Sequence, residues 1–255
     1  MIVFLSVDFD ADSAERLYYS DQPVKISKAV FSIRKGLQRV LEALDIFNIR
    51  TTFFTPGWVI EHYQDLVNTI LRRGHEIGMH GYQHEKLNEL SAEEEWSIHE
   101  KSFRIIKQIQ GHVHGFRRPY WEISPHTLKY ITDLGLLYDS SLLSDDEPYI
   151  MRINNKELVE LPIHELFDDW FLFEIQYRST DEVLRIWKYE FDAAREEGLW
   201  YFPIIIHPTC IGRASRKKML KEFIIYLIKN GASFLRGIDI ARKTIEKTKN
   251  VSQNR

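Results

Sequence analysis

At 255 residues the chain is ordinary for a β/α barrel, so one domain over residues 1–255 is expected, with about 241–255 a polar tail. Lys and Arg number 34 against 37 Asp and Glu, a formal charge of -3, which with no basic stripe argues against a nucleic-acid partner. The single cysteine, Cys210, excludes an internal disulfide and a thiolate metal cluster. No run approaches roughly 18 consecutive apolar residues, the length of a membrane span, and the opening MIVFLSVDFD lacks the marks of a signal peptide. A cytoplasmic enzyme without a membrane partner is the expectation.

In chain order, short apolar and β-branched runs predict strands at 2–9, 50–55, 76–80, 112–117, 136–140, 158–163, 201–207 and 232–235. Helical periodicity occupies most intervals, for example ISKAVFSIRKGLQRVLEALDIF, WVIEHYQDLVNTILRRG and SRKKMLKEFIIYLIKNG. Ser91 with Glu94 reads as a capping box, and Gly74, Gly111, Gly135, Gly198 and Gly231 stand where helices should stop. Repeated strand–helix alternation calls for parallel strands with right-handed crossovers, closed as a barrel or a distorted barrel, or else left open as a doubly wound sheet. Residues 11–26 and 140–157 break the rhythm and are expected to be active-site loops.

The carboxyl ends of barrel strands form the working rim. Asp8, Asp10 and Asp12 close the first predicted strand, His80 and His84 the third, Arg117 the fourth, Asp139 the fifth, His164 the sixth and His207 the seventh. One helical turn would set the imidazoles of His80 and His84 on one side, with Cβ atoms about 5–6 Å apart. Such a pair alone is as often structural as functional. Adding Asp10 makes a three-ligand set with an open position, suited to Zn2+ and also acceptable to Co2+, Ni2+, Mn2+ or Fe2+. Asp8 shares strand parity with Asp10, so one acid can bind metal while the other serves as a base; Asp12 reads as loop. In GFRRPYWEIS, Tyr120 and Trp121 offer flat surfaces for a sugar or other ring, although core packing would account for them equally, and an arginine there can orient a carboxylate. His207 ends the apolar IIIHP strand and is read as a general acid rather than a structural histidine.

DFD, HGYQH, FRRPYW and IIIHP, in this order, resemble the successive motifs of the polysaccharide deacetylase family, also called NodB-like or carbohydrate esterase family 4, over residues 1 to about 240. YDSSLLSDDEPY, LVELPIHELFDDW and HPTCIGRASR resemble its cytoplasmic peptidoglycan-deacetylase-like and allantoinase-like branch. The resemblance implies a distorted (β/α) barrel of seven or eight strands and one divalent metal ion on Asp10, His80 and His84. It also implies Asp8 as general base, Arg117 orienting it, His207 as general acid, and a homo-oligomer. Two departures stand out: Phe9 separates acids that are often adjacent in the family, and Arg118 stands where a small residue or Pro is common. Asp139, Asp168 and Asp169 are the candidates for tuning His207. The expected activity is hydrolysis of a non-peptide carbon–nitrogen bond, foremost deacetylation of an N-acetylated amino sugar or oligosaccharide. Ring opening of a cyclic amide or ureide is the alternative, and a non-catalytic carbohydrate-binding module is the reading from another class.

Overall fold

A computed structural model describes residues 1–253. Its strands are β1 (Ile2–Asp8), β2 (Thr52–Thr55), β3 (Glu76–Met79), β4 (Gly115–Phe116), β5 (Tyr138–Asp139), β6 (Tyr149–Ile153), β7 (Lys156–Glu160), β8 (Tyr201–Ile206) and β9 (Ser233–Phe234). They form one curled sheet in the order β6-β7-β5-β4-β3-β2-β1-β8, parallel throughout except for the β6–β7 hairpin. β8 pairs along β1, while β9 pairs with β1 at Ile2 and Val3, and β2 pairs with it at Val7 and Asp8. The curl leaves a distorted (β/α) barrel, with a single bridge from Asp168 to Ile205 on the outer side of β8.

Strand parity sorts the side chains. Val3, Leu5 and Val7 pack outward in the larger core, as do Phe202, Ile204 and Ile206 of β8. Phe4, Phe54, Tyr138 and Tyr201 fill the barrel interior with Ile238 and Ile240. Two interior strand positions are glycines because a ring occupies their space. A Cβ on Gly78 would lie 2.6 Å from the Phe54 ring, and one on Gly115 would lie 1.9 Å from that of Tyr138. Continuing the interior parity upward from this aromatic layer reaches Ser6, Asp8 and Asp10 from β1, His80 from β3, Arg117 from β4 and His207 from β8.

The helix expected after residue 26 runs from Pro23 to Ile46, with a π turn at Ser32–Gly36. At this turn a Cβ on Gly36 would meet the Pro208 carbonyl oxygen at 2.1 Å, so glycine lets the helix lie against the segment that follows His207. The Ser91–Glu94 capping box opens the helix Ala92–Gln110, and Gly111 closes it at φ 82°. Residues 140–157 do not form the expected active-site loop. Their second half enters a hairpin turned by Asn154 and Asn155, at φ 49° and 64°, and widens the sheet edge. The paired asparagines were the readable signal for this turn. The helix Gly237–Gln253 takes up most of the expected polar tail, and its Ala241 and Thr244 are buried; residues 254–255 lie outside the described residues.

Candidate active site and metal centre

Asp10 Oδ1 lies 3.3 Å from His80 Nε2 and 3.7 Å from His84 Nε2. These three side chains offer ligand atoms all within 4.8 Å of one another. His80 donates Nδ1–H to the Arg117 carbonyl at 2.9 Å, which turns Nε2 toward Asp10, the arrangement in which a backbone acceptor fixes a ligating imidazole. Asp10 Oδ1 is buried and accepts no hydrogen bond among the described residues. Burial works against its charge, but His84 and His80 outweigh that effect and hold the carboxyl well below the usual range. His84 is pulled down to about 4, chiefly by burial, and so carries a neutral ring. An ionised, half-buried carboxylate whose Oδ1 faces two imidazole nitrogens is a donor set that fits a divalent cation.

The turn that brings His84 to His80 is not helical. β3 ends at Met79, and both Gly81 (φ 68°) and His84 (φ 65°) adopt left-handed backbone. Glu85, buried, fastens this loop by accepting from Tyr82 N at 2.9 Å and Gln83 N at 2.7 Å. Ser102 Oγ donates to Gly81 O from the neighbouring helix. The imidazoles end 4.9 Å apart, centre to centre. Glu85 was not singled out from sequence, although it directly follows the second histidine.

Asp8 faces the same centre. Arg117 Nη1 donates to Asp8 Oδ1 at 2.8 Å and to Ser6 Oγ at 2.8 Å, while its Nε and Nη2 reach Ser140 O and Oγ. The guanidinium is buried over the Phe54 ring, 4.2 Å from its centroid. Asp8 Oδ2 is 3.9 Å from both His80 Nε2 and His207 Nε2, so the acid stands between the two imidazoles. Ser6 and Ser140, which complete the Arg117 cradle, carried no sequence signal.

His207 Nδ1 pairs with Asp169 Oδ1 at 2.8 Å, and the His207 backbone N–H donates to the same oxygen. Asp168 Oδ1 lies 3.6 Å from Nδ1. Burial opposes a charge on this ring, but Asp168 and Asp169 outweigh it and push its pKa well above the ordinary histidine value. Of the three acids considered for tuning it, Asp169 makes the contact and Asp168 supports it; Asp139 instead lies buried beside Glu160. His207, Asp168 and Asp169 also cluster closely enough for a metal, but a protonated ring committed to Asp169 makes them an ion-pair group rather than a ligand set.

These groups open into a cavity of about 450 Å³ whose wall includes Tyr120, Trp121, Trp170 and Phe171. Tyr120 packs edge-on against His84 with centroids 4.6 Å apart, and Trp121 against Phe171. Residues 11–26, expected as a loop, are largely helical (Ser13–Tyr18, then from Pro23) and contribute Ala11, Ala14, Glu15 and Tyr19 to the wall. Asp12 points away, accepting from Tyr63 Oη at 2.8 Å and Arg16 Nε at 2.7 Å. His164 also lies outside the cavity; it is exposed and caps a short 3-10 turn by accepting from Leu166 N.

The sequence profile described as Polysaccharide deacetylase matches residues 21–138, a segment that holds His80, His84 and Arg117 but neither Asp8, Asp10 nor His207. The chain is 27% identical to a peptidoglycan deacetylase of Helicobacter pylori, across 90% of this chain and 91% of that one. A crystal structure from Mycobacterium smegmatis assigned to the polysaccharide deacetylases superposes with a TM-score of 0.88 at 30% identity, covering 97% of this chain and 91% of the other. Puue allantoinase shares the fold, with a TM-score of 0.87 at 24% identity over 94% of this chain and 89% of its own. Among the described residues no helix is long and apolar enough to cross a membrane.

Proposed function

This chain belongs to the polysaccharide deacetylase family, and on that premise we propose that it is a metal-dependent hydrolase that removes the acetyl group from an N-acetylated amino sugar or oligosaccharide. One observation carries the reading: Asp10 Oδ1, buried and without a hydrogen bond among the described residues, converges with His80 and His84, beside a cradled acid and a charged imidazole. Asp10, His80 and His84 would hold one divalent ion, Zn2+ foremost, which when bound supplies a Lewis acid and acidifies water. The whole of residues 1–255 would serve as a single catalytic domain.

Asp8 is the general base, taking a proton from the attacking water through Oδ2 while Arg117, itself braced on Ser6 Oγ, holds Oδ1. His207, held protonated by Asp168 and Asp169, gives its Nε2 proton to the departing amine nitrogen as the carbon–nitrogen bond breaks. Both groups point at one place, since Asp8 Oδ2 and His207 Nε2 are 3.9 Å apart. Tyr120 and Trp121 present rings to a sugar on the aromatic side of the cavity. Opening of a cyclic amide would use the same proton transfers; the names of the family and of the curated relative favour the acetylated sugar.

Substitution separates these roles. Asp8→Asn is expected to retain bound metal and lose about 10²–10⁴ in kcat, the usual contribution of a positioned base. Asp10→Ala and His84→Ala are expected to lose metal and activity together. Metal analysis beside turnover checks both statements, and near-normal turnover in Asp8→Asn would remove the base.

A further inference from the structure

Arg118 is 3% exposed and lines the cavity, yet none of its three guanidinium nitrogens makes a hydrogen bond among the described residues. A guanidinium carries five N–H donors, and leaving them buried without acceptors is costly unless something else supplies them. Its neighbour in sequence shows the contrast, because Arg117 spends its donors on Ser6, Asp8 and Ser140. Arg118 is held instead from its backbone, whose N–H donates to Ser141 Oγ at 3.0 Å, and it faces the Trp121 ring at 5.3 Å.

The acids nearest in charge do not take up its donors. Asp139 accepts from Ser141 Oγ, and Glu160 accepts from the backbone N–H groups of Ser141 and Leu142. These two buried carboxyls lie against each other, and burial raises both, Glu160 further through the neighbouring Asp139 charge. Asp139 and Glu160 act on the arginine through charge alone, and its three nitrogens stay buried at the cavity wall without an acceptor among the described residues.

We infer that Arg118 is a substrate-specificity residue that binds a carboxylate carried by the substrate, so that the preferred substrate is an anionic N-acetylated sugar. This rests on the deacetylase reading for the identity of the sugar, whereas anion recognition itself does not. A guanidinium matches a carboxylate with two parallel hydrogen bonds. A monoanion is preferred to a phosphate because the same cavity is lined by Asp8 and Asp10, which repel a second negative charge.

The test compares N-acetylmuramic acid with its methyl amide, which keeps the sugar and removes the charge. Calorimetry on the metal-loaded protein is expected to give at least about tenfold tighter binding of the acid, at the lower end of what a charged hydrogen-bonded group supplies. Arg118→Met should bring the ratio to about one, and Arg118→Lys should keep part of it, because an ammonium retains charge without the fork. Equal affinities in the wild type, or an unchanged ratio in Arg118→Met, would overturn the inference. So would an N-acetylated sugar phosphate that binds more tightly than the carboxylate. Arg118→Met also removes the charge that balances Asp139 and Glu160, so it is expected to melt lower than the wild type, and the ratio is read on folded variant protein, with Arg118→Lys keeping that charge. Acetate release is followed on the same pair. A charge-dependent binding ratio without acetate from either compound would keep the anion site and sink the deacetylase reading, whereas acetate from both with no ratio would do the reverse.

Discussion

Asp169 does two things for His207: its Oδ1 accepts from the ring Nδ1 and from the backbone N–H of the same residue, so one carboxylate sets both the rotamer and the charge. Asp168, itself raised to about 7, chiefly by burial, adds to the field without making the hydrogen bond. The sign of the consequence is fixed. A general acid must enter the cycle protonated, so kcat falls as pH rises through its pKa, and removing a negative neighbour lowers that pKa. Asp169→Asn should therefore move the alkaline limb of the pH–kcat profile toward lower pH. An unmoved limb would mean that His207 does not carry the transferred proton.

At the scale of elements, interior positions along the strands build both ends of the barrel. The lower end of β3 carries Glu76, whose Oε2 accepts from Thr52 Oγ1 at 2.6 Å and from Ile238 N at 3.2 Å, locking the final helix beneath the sheet. Burial raises this carboxyl to about 7. Its folded pKa lies above its unfolded one, so the native state holds the proton longer. Stability from this group is complete below the unfolded pKa, about 4.3, and is lost as pH rises through about 7. Glu76→Gln keeps an acceptor for both donors and cannot ionise. Thermal melts should show the variant gaining on the wild type between about pH 5 and 8; parallel melting curves across that range would contradict the assignment. At the upper end, the loop after β3 depends on Gly81, where a Cβ would stand 3.0 Å from Pro119 Cγ at a φ of 68°. Gly81→Ala should weaken metal binding through displacement of His84, read as a higher Kd with the fold retained.

For the molecule as a whole, much was legible because alternation along buried strands and chemistry at their ends are the same pattern read twice. The apolar runs ending in DFD, MHG, FRR and IIIH located the strands and the rim together. What escaped has a physical reason in each case. The hairpin Tyr149–Glu160 lies at the sheet edge, with residues of β6 only half-buried, so its strands lack the continuous apolar run of the central ones. The His80–His84 turn follows from Gly81 and Glu85, a glycine conformation and a carboxylate clamp that periodicity does not detect. The roles of Ser6 and Ser140, and the choice of Asp169 among the three acids considered for His207, depend on contacts between residues 23 to 111 positions apart, which become visible only once the sheet is assembled.

The claim that joins these scales is that Asp10, His80 and His84 hold an ion without which the site does not hydrolyse an acetamide. The most direct measurement is acetate release from an N-acetylated chito-oligosaccharide by chelator-stripped protein, before and after addition of one equivalent of Zn2+ or Co2+. No turnover is expected in the stripped protein and restored turnover on addition, with no restoration in His84→Ala. Equal acetate release with and without metal would contradict that claim.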